Sequence, residues 1–285
     1  MKEAIHQPEE PTEHSLKDPA LVWQGGWFYL YCSAFYGPNW SKIMGFRSKD
    51  LARFERLPID WGSGSDGWCS PDIVKVGQEW VMTLQSWDGA PVRESWNQVF
   101  YKTSSDLQNW SAPHPLAADL TAGKRAIDAA VAKNGASWYA VYKEAQTPRL
   151  ATASNLSGPW TQLPDPFSCW AENYQFMKIG GAWHVIATLL DHRQGMAKMV
   201  GTGDRPEDWS SWAEFTLFDT PIRQGLNSSM VANASCLLDH RENSGWWYRA
   251  FCCSDQPPRG NLGYSLGLAR SKDLKDWELM EFDLQ

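Results

Sequence analysis

Short runs in which apolar and polar residues alternate fill most of this chain, and Gly, Pro and polar turns separate them. No long helical spacing of apolar residues interrupts the pattern, so it predicts strands rather than helices. One strand phrase, aromatic near its start, comes five times: Gly26-Trp27-Phe28-Tyr29-Leu30, Glu79-Trp80-Val81-Met82-Thr83, Ser137-Trp138-Tyr139-Ala140-Val141, Ala182-Trp183-His184-Val185-Ile186 and Trp246-Trp247-Tyr248-Arg249-Ala250. A polar turn closing a short strand follows each copy, as in Ser48-Lys49-Asp50-Leu51, Ser105-Asp106-Leu107 and Ser271-Lys272-Asp273-Leu274. A period of about 50 residues with several strands per unit reads as a propeller blade. The expected fold is all-β, a five-bladed β-propeller around a narrow central channel. A β-sandwich does not generate five matching units, and an α/β fold would need crossover helices.

Residues 1–13 read as a leader and 14–285 as one propeller domain, with blades near 14–62, 63–118, 119–166, 167–222 and 223–285. Eighteen Trp is high, and the repeated strand phrase explains five of them. The net charge of −7 comes without a basic run, which argues against nucleic acid as a partner. No apolar run is long enough to span a membrane. The first residues lack the apolar core of a signal peptide, which favours a cytoplasmic location. None of the six cysteines forms a C-x-x-C pair, so free thiols are expected, with Cys32 and Cys252 acting as small hydrophobes. No histidine pair has metal-ligand spacing and no nucleotide-binding fingerprint occurs; neither a metal nor a cofactor is expected.

The strand before each Trp phrase is expected to be the innermost of its blade. Counted forward to the strand Trp, Asp18 lies nine residues before Trp27, Ser70 and Asp128 ten before Trp80 and Trp138, and Glu172 eleven before Trp183. Inner strands of a propeller run in one direction, so these near-equivalent positions converge at one mouth of the channel. Three of the four are acidic. Carboxylates held close push their pKa values apart, which leaves one protonated and another ionised near neutrality. That division suits glycosidic-bond cleavage, where one carboxyl protonates the leaving oxygen and another activates water or attacks. Each acid also has a structural reading: Asp18 as a turn residue before Pro19, Asp128 as an acceptor for backbone donors, and Glu172 as the partner of an Arg such as Arg193.

The order of four short motifs resembles family 43 of the glycoside hydrolases. They are Lys17-Asp18-Pro19, Cys69-Ser70-Pro71-Asp72, Ile127-Asp128 and Ala171-Glu172, one in each of the first four blades. The resemblance implies that Asp18 is the general base, Glu172 the general acid, and Asp128 the residue that orients Glu172 and raises its pKa. It also implies inversion at the anomeric carbon, and a carbohydrate substrate releasing arabinofuranose or xylose. The chain departs from the family in Asn173-Tyr174, where Gly-Pro often follows the acid. It departs again in 225–230, which lacks the family's channel histidine, so a family-type cation site is not expected. The related fructan-cleaving clan, which retains configuration, is an alternative, although its W-M-N-D-P-N-G opening is absent. A non-catalytic carbohydrate-binding propeller is another. Trp68, Trp170 and Tyr174 are candidate sugar-facing aromatics, and Asp72 and His192 candidate substrate contacts. The loops 33–41, 86–97 and 189–196 are the expected source of specificity.

Overall fold

The alternating pattern becomes five antiparallel sheets in a computed structural model that describes residues 5–6, 15–37, 40–59, 67–87, 97–190, 192–217, 233–254 and 263–285. Blade 1 runs Ser15–Gln24, Trp27–Gly37, Trp40–Ser48 and Arg53–Arg56 from the axis outward. Blade 2 is Trp68–Val76, Glu79–Ser86, Val99–Ser104 and His114–Pro115; blade 3 is Ala126–Asn134, Ser137–Glu144, Thr147–Ala153 and Thr161–Leu163. Blade 4 is Ala171–Ile179, Ala182–Leu189, Gln194–Lys198 and Thr216–Leu217. Blade 5 is Asn233–His240, Trp246–Cys253 and Ser265–Ser271, with Glu278–Met280 on its outer edge. The first strands of successive blades neighbour one another, and the first strand of blade 5 returns to that of blade 1. This is the five-bladed propeller expected from the repeat.

Both ends of the chain help close the ring. Ile5 and His6, within the stretch expected to be a leader, pair with Gly267 and Leu266 on blade 5. Asp283–Leu284 pairs in parallel with Arg53 and Phe54 on the outer strand of blade 1. The segment 225–230 and most of the loop 86–97 lie outside the described residues.

The core lies between blades. One apolar cluster joins blades 5 and 1 through Leu21, Leu30, Cys252 and Leu266; another joins blades 1 and 2 through Tyr31, Trp68, Met82 and Phe100. Blades 3 and 4 meet through Tyr139 and the fully buried Trp209, whose rings stack 3.8 Å apart. The strand Trp of the middle blades serves a second purpose. Lys75, Lys133 and Lys178 sit directly across the ladder from Trp80, Trp138 and Trp183, and each ammonium lies 4.7–5.4 Å from the ring centroid. Opposite residues of an antiparallel pair share a face, so the register itself creates these cation–π pairs.

The repeated polar turn has a covalent-like regularity built from hydrogen bonds alone. Ser104 Oγ accepts from the amides of Asp106 and Leu107, and Asp106 Oδ1 accepts from Gln108 and Asn109 at 2.8 and 2.7 Å. Ser48–Arg53 and Ser271–Asp276 repeat the same bonds. Leu51, Leu107 and Leu274 all take φ of 62–64°, a left-handed conformation that a Leu adopts only when its surroundings enforce it. The partial burial of Asp106 opposes its charge, but the amides of Asn109 and Gln108 outweigh that and bring its pKa down to about 2. Asp106→Ala should therefore cost on the order of 1 kcal/mol at neutral pH. The difference between variant and wild type in urea unfolding should shrink as pH falls from about 4 toward 2, where the carboxylate is neutralised in the folded state too.

Candidate functional site

Four innermost strands break their ladders at the same place. The register with the second strand shifts between Lys17 and Ala20, Cys69 and Asp72, Ile127 and Ala130, and Glu172 and Gln175. In each bulge the first unpaired residue is left-handed: Asp18, Ser70, Asp128 and Asn173, with φ of 50–56°. Asp and Asn tolerate this conformation because their short polar side chains bond locally. The bulge re-aims the side chain out of the pleat. The equivalent of Asp18 and Asp128 in blade 4 is therefore Asn173, and Glu172 comes from the position before it. The spacing count in the sequence was misled by the Trp phrase of blade 1, where Phe28 rather than Trp27 stands in the register of Trp80, Trp138 and Trp183.

The convergence nevertheless brings the three acids together. Asp18, Asp128 and Glu172 line one cavity of about 130 Å³, with Lys17, Phe35, Cys69, Ser70, Gln85, Trp87, Arg125 and Asn173. A narrower void of about 20 Å³ continues beneath it between the inner strands, and Asp18, Asp72, Asp128 and Cys236 are among its walls.

Each acid is held differently. Asp18 Oδ2 accepts hydrogen bonds from Ser33 Oγ at 2.8 Å and Ser70 Oγ at 3.2 Å. Its other oxygen has one long contact from Asn173 Nδ2, at 3.5 Å. Glu172 forms an ion pair with the buried ammonium of Lys143, which also lies 4.6 Å from the centroid of Trp170. Asp128 is buried. Burial first, and then the charge of Glu172, push its carboxyl up to about 7, against the opposing pull of Lys143. The amide of Asp128 donates to Gln85 Oε1, and that of Ser70 donates to Ser33 Oγ at 2.7 Å. Lys17 approaches Tyr264 at 4.7 Å; its burial favours the neutral amine, but Asp18 and its other negative neighbours win and raise its pKa. Burial together with Asp18 and Asp128 raises the Cys69 thiol far above its ordinary value, so no nucleophilic thiolate forms there.

Lys143 was not read from the sequence, yet it occupies a repeat position. Ser33, Gln85, Lys143 and Thr188 are the residues paired with Lys17, Cys69, Ile127 and Glu172. In blades 1 and 2 this position accepts the amide of the next blade's left-handed residue. A lysine cannot accept, and in blade 3 it turns instead to the carboxylate of Glu172. A count of five residues onward from Trp80, Trp138 and Trp183 would have found Gln85, Lys143 and Thr188.

The other candidates separate. Trp68 is 3% exposed and packs edge-on against Phe100, so it belongs to the core between blades and offers no face to a ligand. Tyr174 is buried, its hydroxyl donates to the carbonyl of Ala171, and it borders only the inner void. Asp72 borders the same void. His192 lies on the turn after the second strand of blade 4, where its amide donates to Leu189, and it is not among the cavity-lining residues. Trp170 stands beside the cavity, half-buried, with its indole N–H donating to Gln146 Oε1 at 2.7 Å.

The Bacteroides ovatus xyloglucan PUL protein GH43B matches 98% of this chain and 57% of its own, at 13% identity and a TM-score of 0.63. The xylan beta-1,4-xylosidase from Bacillus halodurans matches 97% of this chain and 58% of its own, at 14% and 0.64. The catalytic domain of the Coprinopsis cinerea GH62 alpha-L-arabinofuranosidase matches 93% of this chain and 94% of its own, at 14% and 0.66. The chain has the family 43 type of propeller. It spans little more than half the length of the first two proteins. No family model and no curated protein sequence matches it.

Within this propeller, burial pushes the Asp72 carboxyl up to about 8. A raised carboxylate pKa makes the folded state hold a proton that the unfolded chain releases, so stability falls as pH rises through that interval. Asp72→Asn removes the slope. Urea unfolding at pH 5 and pH 9 should show the variant more stable than wild type, with the larger gain at pH 9.

Proposed function

We propose that this propeller is a glycoside hydrolase that inverts configuration in a single displacement. The observation that carries the reading is the gathering of Asp18, Asp128 and Glu172 around one cavity at the channel mouth. In this reading Asp18 accepts a proton from water as the water oxygen bonds to the anomeric carbon. Glu172 gives its proton to the departing glycosidic oxygen as the old C–O bond breaks. The Ser33 and Ser70 hydroxyls fix one oxygen of Asp18 and leave the other for water. Once its proton has gone, the Glu172 carboxylate faces Lys143, which stabilises the charge that develops during transfer. The charge of Asp128 acts against that of the ammonium. A xylosidase and an arabinofuranosidase among the similar folds support a xylosyl or arabinofuranosyl bond as the one cleaved.

Asp18→Asn and Glu172→Gln should each lower turnover of the cleaved glycoside by at least about 100-fold, with unchanged melting curves. Detection of the product anomer by NMR should show inversion; a retained anomer would assign Asp18 as a nucleophile, as in the fructan-cleaving clan. Binding without product in the wild type would favour a carbohydrate-binding module.

Asp128 and Lys143 are positioning residues, and they should move the pH profile in opposite directions. Asp128→Asn removes a repulsion that keeps the proton on Glu172, so the alkaline limb of kcat should shift to lower pH. Lys143→Met removes the ammonium that favours release of that proton, so the limb should shift upward. A purely structural role for either residue would lower kcat without displacing the limb.

A further inference from the structure

The cavity holds more positive charge than cleavage of a neutral sugar requires. Lys17 and Arg125 line it, and Lys143 reaches Glu172 from the neighbouring strand. Against these three cations stand Asp18, Glu172 and Asp128, and the last, with its carboxyl pushed up to about 7, supplies only part of a charge at neutral pH. An acid–base pair acting on a neutral glycoside needs one carboxylate and one protonated carboxyl, a net negative arrangement. Among the described residues the count here is three cations against three carboxyls.

Lys17 and Lys143 each have carboxylate neighbours, Asp18 and Glu172. Arg125 differs. It stands immediately before the first strand of blade 3, exposed at the rim, three residues ahead of Asp128. Its guanidinium has one long contact, from Nη1 to the carbonyl of Ala145 at 3.5 Å, and no carboxylate partner among the described residues. The nearby acid Glu144 is already engaged by Lys124 at 3.0 Å and by Arg149 at 3.5 Å. A planar guanidinium matches a carboxylate in two parallel hydrogen bonds.

We infer that the sugar seated in this cavity carries a carboxylate, as a hexuronate does, and that Arg125 is the residue that recognises it. The inference rests on the reading of the cavity as a sugar site and narrows the sugar. A hexuronate is the ring of a pentopyranose with a carboxylate on C5, so it keeps the pyranose ring of a xylosyl group and adds the group that Arg125 fits.

Titration calorimetry with glucuronate and galacturonate, against xylose and arabinose and against inorganic phosphate, tests this without relying on turnover. Wild type should bind one uronate at least tenfold more tightly than the matching neutral pentose, with the preference weakening in high salt. Arg125→Met should bring that ratio down to about one, with an unchanged melting temperature. Equal affinity for uronate and pentose in wild type, or a preference that survives in Arg125→Met, would overturn the inference. Phosphate binding in preference to uronate would overturn it as well, assigning Arg125 to a free oxyanion. Cleavage of neutral pentosides without uronate preference would sink this inference and leave the hydrolase standing. Uronate binding with no product from any glycoside would do the reverse.

Discussion

A left-handed residue in the bulge near the head of four inner strands is the constraint on which the rest of this molecule depends. Inner strands of a propeller do not hydrogen-bond to one another, so the channel side of each sheet leaves backbone groups to be satisfied by side chains. The bulge puts one such amide at a fixed place, and the preceding blade answers it: Ser33 for Ser70 and Gln85 for Asp128. Lower in the channel Thr83 bonds the carbonyl of Ala129, and Gln175 both accepts from and donates to the backbone of Leu237. The same local distortion therefore does two things. It locks blade 1 to blade 2 and blade 2 to blade 3, and it turns a short polar side chain toward the axis.

Three carboxyls in so small a volume pose an electrostatic problem, which the fold answers three ways. Asp18 accepts from two hydroxyl donors, Glu172 pairs with an ammonium, and burial pushes the Asp128 carboxyl up to about 7. These are different environments made from equivalent backbone. A repeat gives the same geometry five times; the substitutions Ser33, Gln85 and Lys143 at one repeat position turn that geometry into separate chemical tasks.

The architecture was legible because it is periodic. Strand phrases and turns recur, and every expected inner strand forms where the pattern put it. The acids were legible for the same reason, since equivalent positions in a closed ring must converge. The one-residue offset of Glu172 stands in its count of eleven against ten for Ser70 and Asp128, but the count of nine for Asp18 makes the spread look even, because Phe28 rather than Trp27 is the equivalent residue in blade 1. Trp68 shows another limit: a Trp next to a strand head reads the same whether it faces a channel or an interblade core, and only packing against Phe100 decides. Lys143 was missed because a lone lysine in a strand has no motif. Its meaning comes from a partner 29 residues away in the next blade.

Position along the axis separates the acids further. Asp18 and Asp128 border both the cavity and the void beneath it, Glu172 borders only the cavity, and Asp72 only the void. Glu172 is half-buried and paired with Lys143, whereas Asp72 is buried and its carboxyl sits near 8 with desolvation as its main cause. A ligand filling the cavity meets Glu172, Lys17 and Arg125, and Asp72 lies beyond it. The bulge sets this separation: Cys69 and Asp72, three apart, pair with Gln85 and Thr83, two apart, so Ser70 falls in the bulge, where it reaches Asp18, and Asp72 resumes the ladder further along the strand. Cavity and void are thus walled by the same bulged strands that carry the acids.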